Sequence, residues 1–338
     1  MFLIWLQFFI SAVIIIIAGT KLSLYADVIS ERTGLSKAWI GMILLGVVTS
    51  LPELATSLAS AVKINAPDLS LGTVLGSNIF NLMIIVLLDF IYRPGSITSK
   101  ANSNHSHILS AVLTLMLSAI VITNIFINSR VTVWSIGNVG IDSIAIALIY
   151  IVGMRLIFKS EAKEMPAQLA DKELALFRYK GLTLSRAYLG FIIAAALVVS
   201  SGIWLAGIGE EIAKATGWGR TFVGSIFLAI VTSFPEVVVS VAALRLGSID
   251  LAFGNIFGSN MINLFIIPIT DVAYKAGAIL AFVSQTHILT ACLGIFLTCV
   301  AIIGLTRRVK KTFLNLSWDT IVMVLSYLLG TYMLFRLR

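Results

Sequence analysis

Long apolar stretches alternate with short polar ones along the whole chain, and each apolar stretch is close to the length that a helix needs to cross a bilayer. A span takes about 20 mostly apolar residues. Ten runs qualify: 3–24, 38–62, 70–90, 108–128, 138–158, 187–209, 219–244, 252–273, 284–304 and 317–335. The pattern predicts an all-α integral membrane protein with ten transmembrane helices. Composition agrees, since 59% of the 338 residues are hydrophobic, 12% are charged and the mean hydropathy is +1.01. These values exclude an ordinary soluble domain. The first run has no basic segment before it and no small-residue cleavage site after it, so it reads as a retained span. Cys292 and Cys299 share one apolar run, which fits packing better than a disulfide framework or a metal motif.

A duplication organises the spans. At a shift of 183 residues, Gly41 meets Gly224, and Val48-Thr49-Ser50-Leu51-Pro52-Glu53 meets Val231-Thr232-Ser233-Phe234-Pro235-Glu236. Asp27 lands on Glu210 at the same shift. At 182, Gly76-Ser77-Asn78 meets Gly258-Ser259-Asn260, Asn81 meets Asn263, and Asp89 meets Asp271. Further on, His107 meets His287 at 180, and Asp142 meets Asp319 at 177. Each copy holds five spans. An odd number reverses the direction in which equivalent helices cross, so the expected architecture is two inverted five-helix repeats with a site near the midplane where they meet. The division is 1–158 for the first repeat, 159–186 for a charged cytoplasmic linker and 187–338 for the second repeat.

The net charge of +8 changes the picture through its placement. With the N-terminus outside, 17 of the 24 Lys and Arg fall on the inner side and 7 on the outer side. Cytoplasmic loops carry the basic excess, so both termini are expected to be extracytoplasmic. No basic motif interleaved with aromatics supports nucleic-acid binding. The lipid bilayer is the expected surrounding, and no protein partner is evident.

The chemistry lies in the duplicated motifs. Glu53 stands midway along an otherwise apolar span, as does Glu236. An acid at a helix centre costs about 2.5–3.5 kcal/mol to insert, so each needs a cation, a partner or a wet cavity. No Lys or Arg stands at matching depth in these spans. Helical spacing puts Thr49 and Ser50 on the face of Glu53, and Thr232 and Ser233 on the face of Glu236. Ser77 with Asn81, and Ser259 with Asn263, form two more oxygen-bearing faces. Pro52 and Pro235 lack an N–H, which releases the carbonyls of Val48 and Val231 as candidate ligands or hinges. Carboxylate, hydroxyl and amide oxygens without thiol or imidazole suit hard cations such as Ca²⁺ and Na⁺. Two ionised glutamates carry a charge of −2, which one Ca²⁺ neutralises, whereas three Na⁺ leave +1. Exchange at three to one would therefore be electrogenic.

At these motifs the sequence resembles the sodium/calcium exchanger family of the calcium/cation antiporter superfamily, in particular its short prokaryotic-type members. Thr49-Ser50-Leu51-Pro52-Glu53 with Gly76-Ser77-Asn78-Ile79-Phe80-Asn81 looks like the family's first α-repeat. Thr232-Ser233-Phe234-Pro235-Glu236 with Gly258-Ser259-Asn260-Met261-Ile262-Asn263 looks like the second. The resemblance implies that Glu53 and Glu236 bind both calcium and sodium, helped by Thr49, Ser50, Thr232, Ser233, Ser77, Ser259, Asn81 and Asn263. It also implies carbonyl ligands at Gly46 and Ala229, where the proline argument points to Val48 and Val231. Spans one and six would slide past the other eight to switch access. Some family members carry an acid where this chain has Asn263, and its absence argues against potassium co-transport. No cofactor is expected, and the short central loop has no room for a large regulatory insert.

Other polar residues receive plainer readings. Asp89 and Asp271 are expected to bond loops or helix ends, with cation attraction into a vestibule as the alternative. Asp142 and Asp319 begin spans five and ten, as capping acids do. His105, His107 and His287 sit at span edges, away from both glutamates. That argues against an intramembrane enzyme. Gly41, Gly72, Gly76, Gly224, Gly254 and Gly258 are expected to let helices approach closely. A proton-coupled calcium exchanger with the same fold and glutamates is the alternative function, and a passive channel is disfavoured by the repeat around one acidic pair.

Overall fold

The computed structural model describes residues 2–92, 95–101, 104–128, 134–169, 179, 181–216, 228–307, 311–313 and 316–336. Among these, nine helical segments are long and apolar enough to cross a membrane. The run 219–244 is described only from residue 228, as helices Ala229–Thr232 and Phe234–Arg245. Gly224 and most of the linker between residues 170 and 180 lie outside the described residues, as does the side chain of Glu210.

Several helices outrun their apolar runs. The first is Phe2–Thr33, and its 32 residues make a rod about 48 Å long against a hydrocarbon core of roughly 30 Å. Its polar last turns are absorbed by tertiary contacts. The carboxylate of buried Asp27 pairs with the ammonium of Lys37 at 2.8 Å and accepts from the hydroxyls of Ser248 at 2.5 Å and Tyr179 at 2.7 Å. Helix Ile141–Leu169 likewise carries span five into the linker.

Burial separates centre from periphery. Pro67–Ile91 and Ile249–Ala273, spans three and eight, are each 72% buried along their apolar window, whereas the first and last spans are 22% buried. Spans three and eight are therefore the central pair. The outer helices present large apolar side chains such as Leu3, Ile192 and Leu325 on exposed faces. A surface of that kind suits lipid rather than water.

Spans two and seven are broken at equivalent places. Ser50, with φ −87° and ψ 2°, separates helix Gly46–Thr49 from Leu51–Leu58. Ser233, with φ −84° and ψ 9°, separates Ala229–Thr232 from Phe234–Arg245. The proline two residues after each break supplies the cause, since it cannot donate to the helix ladder. A π-helical turn at Gly41–Leu45 widens span two just before its break. Such turns are frequent at functional sites. Glycines bring spans two and eight into backbone contact there: a Cβ at Gly46 would stand 3.0 Å from the carbonyl carbon of Gly258, and one at Gly258 would stand 2.6 Å from the Cα of Met42.

Buried aspartates tie the loops at the two ends of the central pair. Asp89 ends span three and accepts from the Ile97 amide at 2.9 Å and, at 3.1 Å each, from the Ser317 amide and the hydroxyls of Ser317 and Thr320. Asp271 ends span eight and accepts from the amides of Ile279 at 2.6 Å and Gly140 at 2.8 Å. Both are fully buried, so the loop-bonding expectation holds and the vestibule alternative does not. Asp142 and Asp319 stand in the first turns of spans five and ten. Two of the three edge histidines form matching pairs, His107 with Asp250 at 3.3 Å and His287 with Asp68 at 3.2 Å.

Candidate ion-binding site

The two helix breaks face each other against the central pair, and this brings the duplicated motifs together. Thr49, Ser50, Glu53, Ser77, Asn81, Thr232, Ser233, Glu236, Ser259 and Asn263 are each at most 1% exposed. The hydroxyls cross between the copies. Ser233 donates to Glu53 Oε1 at 3.0 Å, and Ser50 donates to Glu236 Oε1 at 3.2 Å. Spacing along one helix had paired each serine with the glutamate three residues on. The break instead turns its side chain to the glutamate of the other copy.

The central spans complete the set. Ser77 donates to Glu53 Oε1 at 3.3 Å and lies 3.4 Å from Thr232 Oγ1, while Ser259 lies 3.2 Å from Thr49 Oγ1. Both carbonyls implied by the family resemblance are also touched by hydroxyls. Gly46 O accepts from Ser259 at 3.5 Å and from the Ser50 amide at 3.2 Å. Ala229 O accepts from Thr232 at 3.3 Å and from the Ser233 amide at 3.0 Å. The same two amides also point toward the carbonyls of Val48 and Val231.

The unpartnered atoms define what this place can do. Glu53 Oε2, Glu236 Oε2 and both polar atoms of Asn81 and of Asn263 are buried without a hydrogen-bond partner among the described residues. An unsatisfied buried polar group costs about 1–3 kcal/mol, and four oxygens of this kind surround the place where the two copies meet. The described residues hold no cluster of three or more His, Cys, Asp or Glu. The polar atoms gathered here are hydroxyl, amide and carbonyl oxygens around two carboxylates, a donor set of the kind that suits Ca²⁺ or Na⁺.

Comparison with known proteins identifies the family. The sequence pattern described as sodium/calcium exchanger protein matches residues 3–159 and 186–336, which takes in nearly the whole chain. The chain belongs to the sodium/calcium exchanger family. It is thus a multi-pass membrane protein of a cation-antiporter family. Among curated relatives, it is 28% identical over 265 residues to the inner membrane protein YrbG of Escherichia coli, covering 76% of each chain. It is 25% identical over 276 residues to the sodium/calcium exchanger MaX1 of Methanosarcina acetivorans, covering 72% of this chain and 75% of that one. Its fold matches the solved structure of the sodium-calcium exchanger NCX_Mj soaked with sodium and calcium, with a TM-score of 0.68 at 18% identity over 97% of both chains.

One buried polar residue at the site escaped the sequence reading. Asn255 lies one turn before Ser259 on span eight, and its amide touches Thr49, Ser240 and the carbonyl of Glu236. The spacing Asn255, Ser259, Asn263 was the signal, since i, i+4 and i+8 share a helix face.

Proposed function

We propose that this chain exchanges sodium for calcium across its membrane by alternating access, with both ions competing for the oxygens between Glu53 and Glu236. The observation that carries the reading is the pair of carboxylates, each bonded by a serine of the other copy and each left with one buried oxygen that has no partner among the described residues. Calcium takes 6–8 oxygens. Thr49, Ser50, Thr232, Ser233, Ser77, Ser259, Asn81 and Asn263 supply side chains, and Gly46 and Ala229 supply carbonyls. An empty site of charge −2 crosses a low-dielectric barrier poorly, which enforces exchange instead of leak. A stoichiometry of three sodium to one calcium makes each cycle move one net charge.

The reading includes the architecture. Residues 1–158 and 187–338 form two inverted repeats joined by the cytoplasmic linker 159–186, with both termini extracytoplasmic. Reciprocal contacts support it: Ser50 with Glu236 against Ser233 with Glu53, and His107 with Asp250 against His287 with Asp68. Spans one and six move past the rest. The first of them is latched at its inner end by Asp27, Lys37, Ser248 and Tyr179, a contact that must open in each cycle.

Calcium uptake into proteoliposomes tests this. Vesicles loaded with sodium should take up calcium, and vesicles loaded with potassium or choline at the same pH should not. Uptake driven only by a pH gradient would make the protein a proton-coupled exchanger. Uptake that persists with no opposing cation gradient would overturn the exchange reading.

A further inference from the structure

We infer that Asn255 is a positioning residue of the ion site: its amide bridges Thr49 in span two to the Glu236 turn of span seven and so sets the spacing of two proposed ion ligands. The inference rests on the reading of Thr49 as a ligand given above.

Asn255 is fully buried on span eight. Its amide nitrogen lies 3.0 Å from Ser240 Oγ and 3.4 Å from the backbone carbonyl of Glu236. A carbonyl can only accept, so the NH₂ end must face span seven and the oxygen must face away from it. On that other side Oδ1 lies 3.2 Å from Thr49 Oγ1, and there the threonine must donate. Leu45 O, one turn back in the same span, is a second acceptor at 3.0 Å. With Ser259 Oγ at 3.2 Å also in reach, the single hydroxyl hydrogen of Thr49 is shared among Leu45, Asn255 and Ser259, and the bond to Asn255 is the one that ties Thr49 to span seven through the amide. The oxygen's lone pairs remain for a cation.

The duplicated position makes the bridge specific to one half of the site. Asn255 corresponds to Thr73 at the shift of 182, and Thr73 donates to Leu69 O within its own helix. Thr232, the counterpart of Thr49, lies 3.3 Å from Ala229 O and 3.4 Å from Ser77 Oγ and also bonds Glu53, with no side-chain amide among these partners. The half built from Thr49 and Glu236 is thus braced by an amide, and the half built from Thr232 and Glu53 is not. Bracing lowers the cost of ordering ligands when the ion arrives. Its loss should raise the half-saturating calcium concentration and leave maximal turnover near its original value.

A double-mutant cycle tests the bridge, read as half-saturating calcium and maximal rate in sodium-loaded proteoliposomes. Asn255→Thr installs the residue of the other copy and should raise half-saturating calcium roughly fivefold, the worth of about one hydrogen bond. In a Thr49→Val background the same change should add less than about twofold, because the partner is already gone. An equal effect in both backgrounds overturns the inference, since Asn255 would then act by general packing. No effect of Asn255→Thr, with Thr49→Val still weakening calcium, overturns the inference and leaves Thr49 as a ligand. Full calcium affinity in Thr49→Val overturns the ligand reading itself. Should Asn255→Thr fail to fold, Ser240→Ala removes the anchor of the amide and carries the same cycle, with a smaller rise of the same sign.

Discussion

Neutralising one glutamate gives the sharpest quantitative expectation. Glu53→Gln keeps the shape of the side chain and keeps an acceptor for the hydroxyls of Ser233 at 3.0 Å and Ser77 at 3.3 Å. It places an NH₂ group where Oε2 has no partner among the described residues, and it cuts the charge of the proposed ion-binding pair from −2 to −1. Removing one member of a buried ion pair costs about 3–5 kcal/mol. At 1.4 kcal/mol per decade, calcium affinity should fall roughly 140- to 3,700-fold. Thermal unfolding in sodium-free detergent solution reads this. At a calcium concentration 100 times its dissociation constant, the parent gains about 2.7 kcal/mol of stability. At that same concentration the variant should gain about 0.3 kcal/mol or less. Without calcium the variant should be at least as stable as the parent, because a buried charge has gone. A variant that keeps most of the calcium-induced gain would refute the assignment of Glu53 as a ligand.

Three further perturbations separate the site from its supports. Gly46→Ala would put a methyl 3.0 Å from Gly258 and Ser259 backbone atoms, and overpacking of that kind costs about 1–3 kcal/mol. Its unfolding midpoint should drop, whereas Gly207→Ala, whose methyl would meet no atom of another helix within 4 Å, should hold or slightly raise the midpoint. Asp89→Asn loses acceptor capacity for loop donors and should cost about 1–3 kcal/mol of stability while calcium affinity of the folded protein stays within about twofold. A loss of affinity like that of Glu53→Gln would put Asp89 in the site after all. Tyr179→Phe removes a hydroxyl 2.7 Å from the Asp27 carboxylate and should speed thiol labelling of Ser30→Cys, measured in a Cys292→Ala, Cys299→Ala background. Ser30 is 4% exposed at the same end of span one, so an unchanged labelling rate would refute the latch.

The spans and the site's residue types were legible because the bilayer imposes length and apolarity on every crossing helix, and because the motifs occur twice. The breaks in spans two and seven were legible from Pro52 and Pro235. Helix ends were not: Phe2–Thr33 runs nine residues past the apolar run that ends at 24. Nothing local in Asp27 or Arg32 reveals that Lys37, Ser248 and Tyr179 await them. The exchange of serines between glutamates was hidden for a related reason. Spacing along one helix ranks Glu53 as the neighbour of Ser50, and only the turn at the break and the docking of the other copy bring Glu236 to it. Asn255 was passed over because its counterpart is Thr73 and not a second asparagine, so the duplication that marked the proposed ligands was silent there.

The claim that sodium and calcium share one set of oxygens between Glu53 and Glu236 is tested most directly by calorimetric titration of calcium into the purified protein at a series of sodium concentrations. Competition for the site predicts an apparent dissociation constant that rises with sodium, with a limiting slope near three on logarithmic axes if three sodium ions displace one calcium. Calcium affinity that stays constant across the sodium series would contradict the shared site.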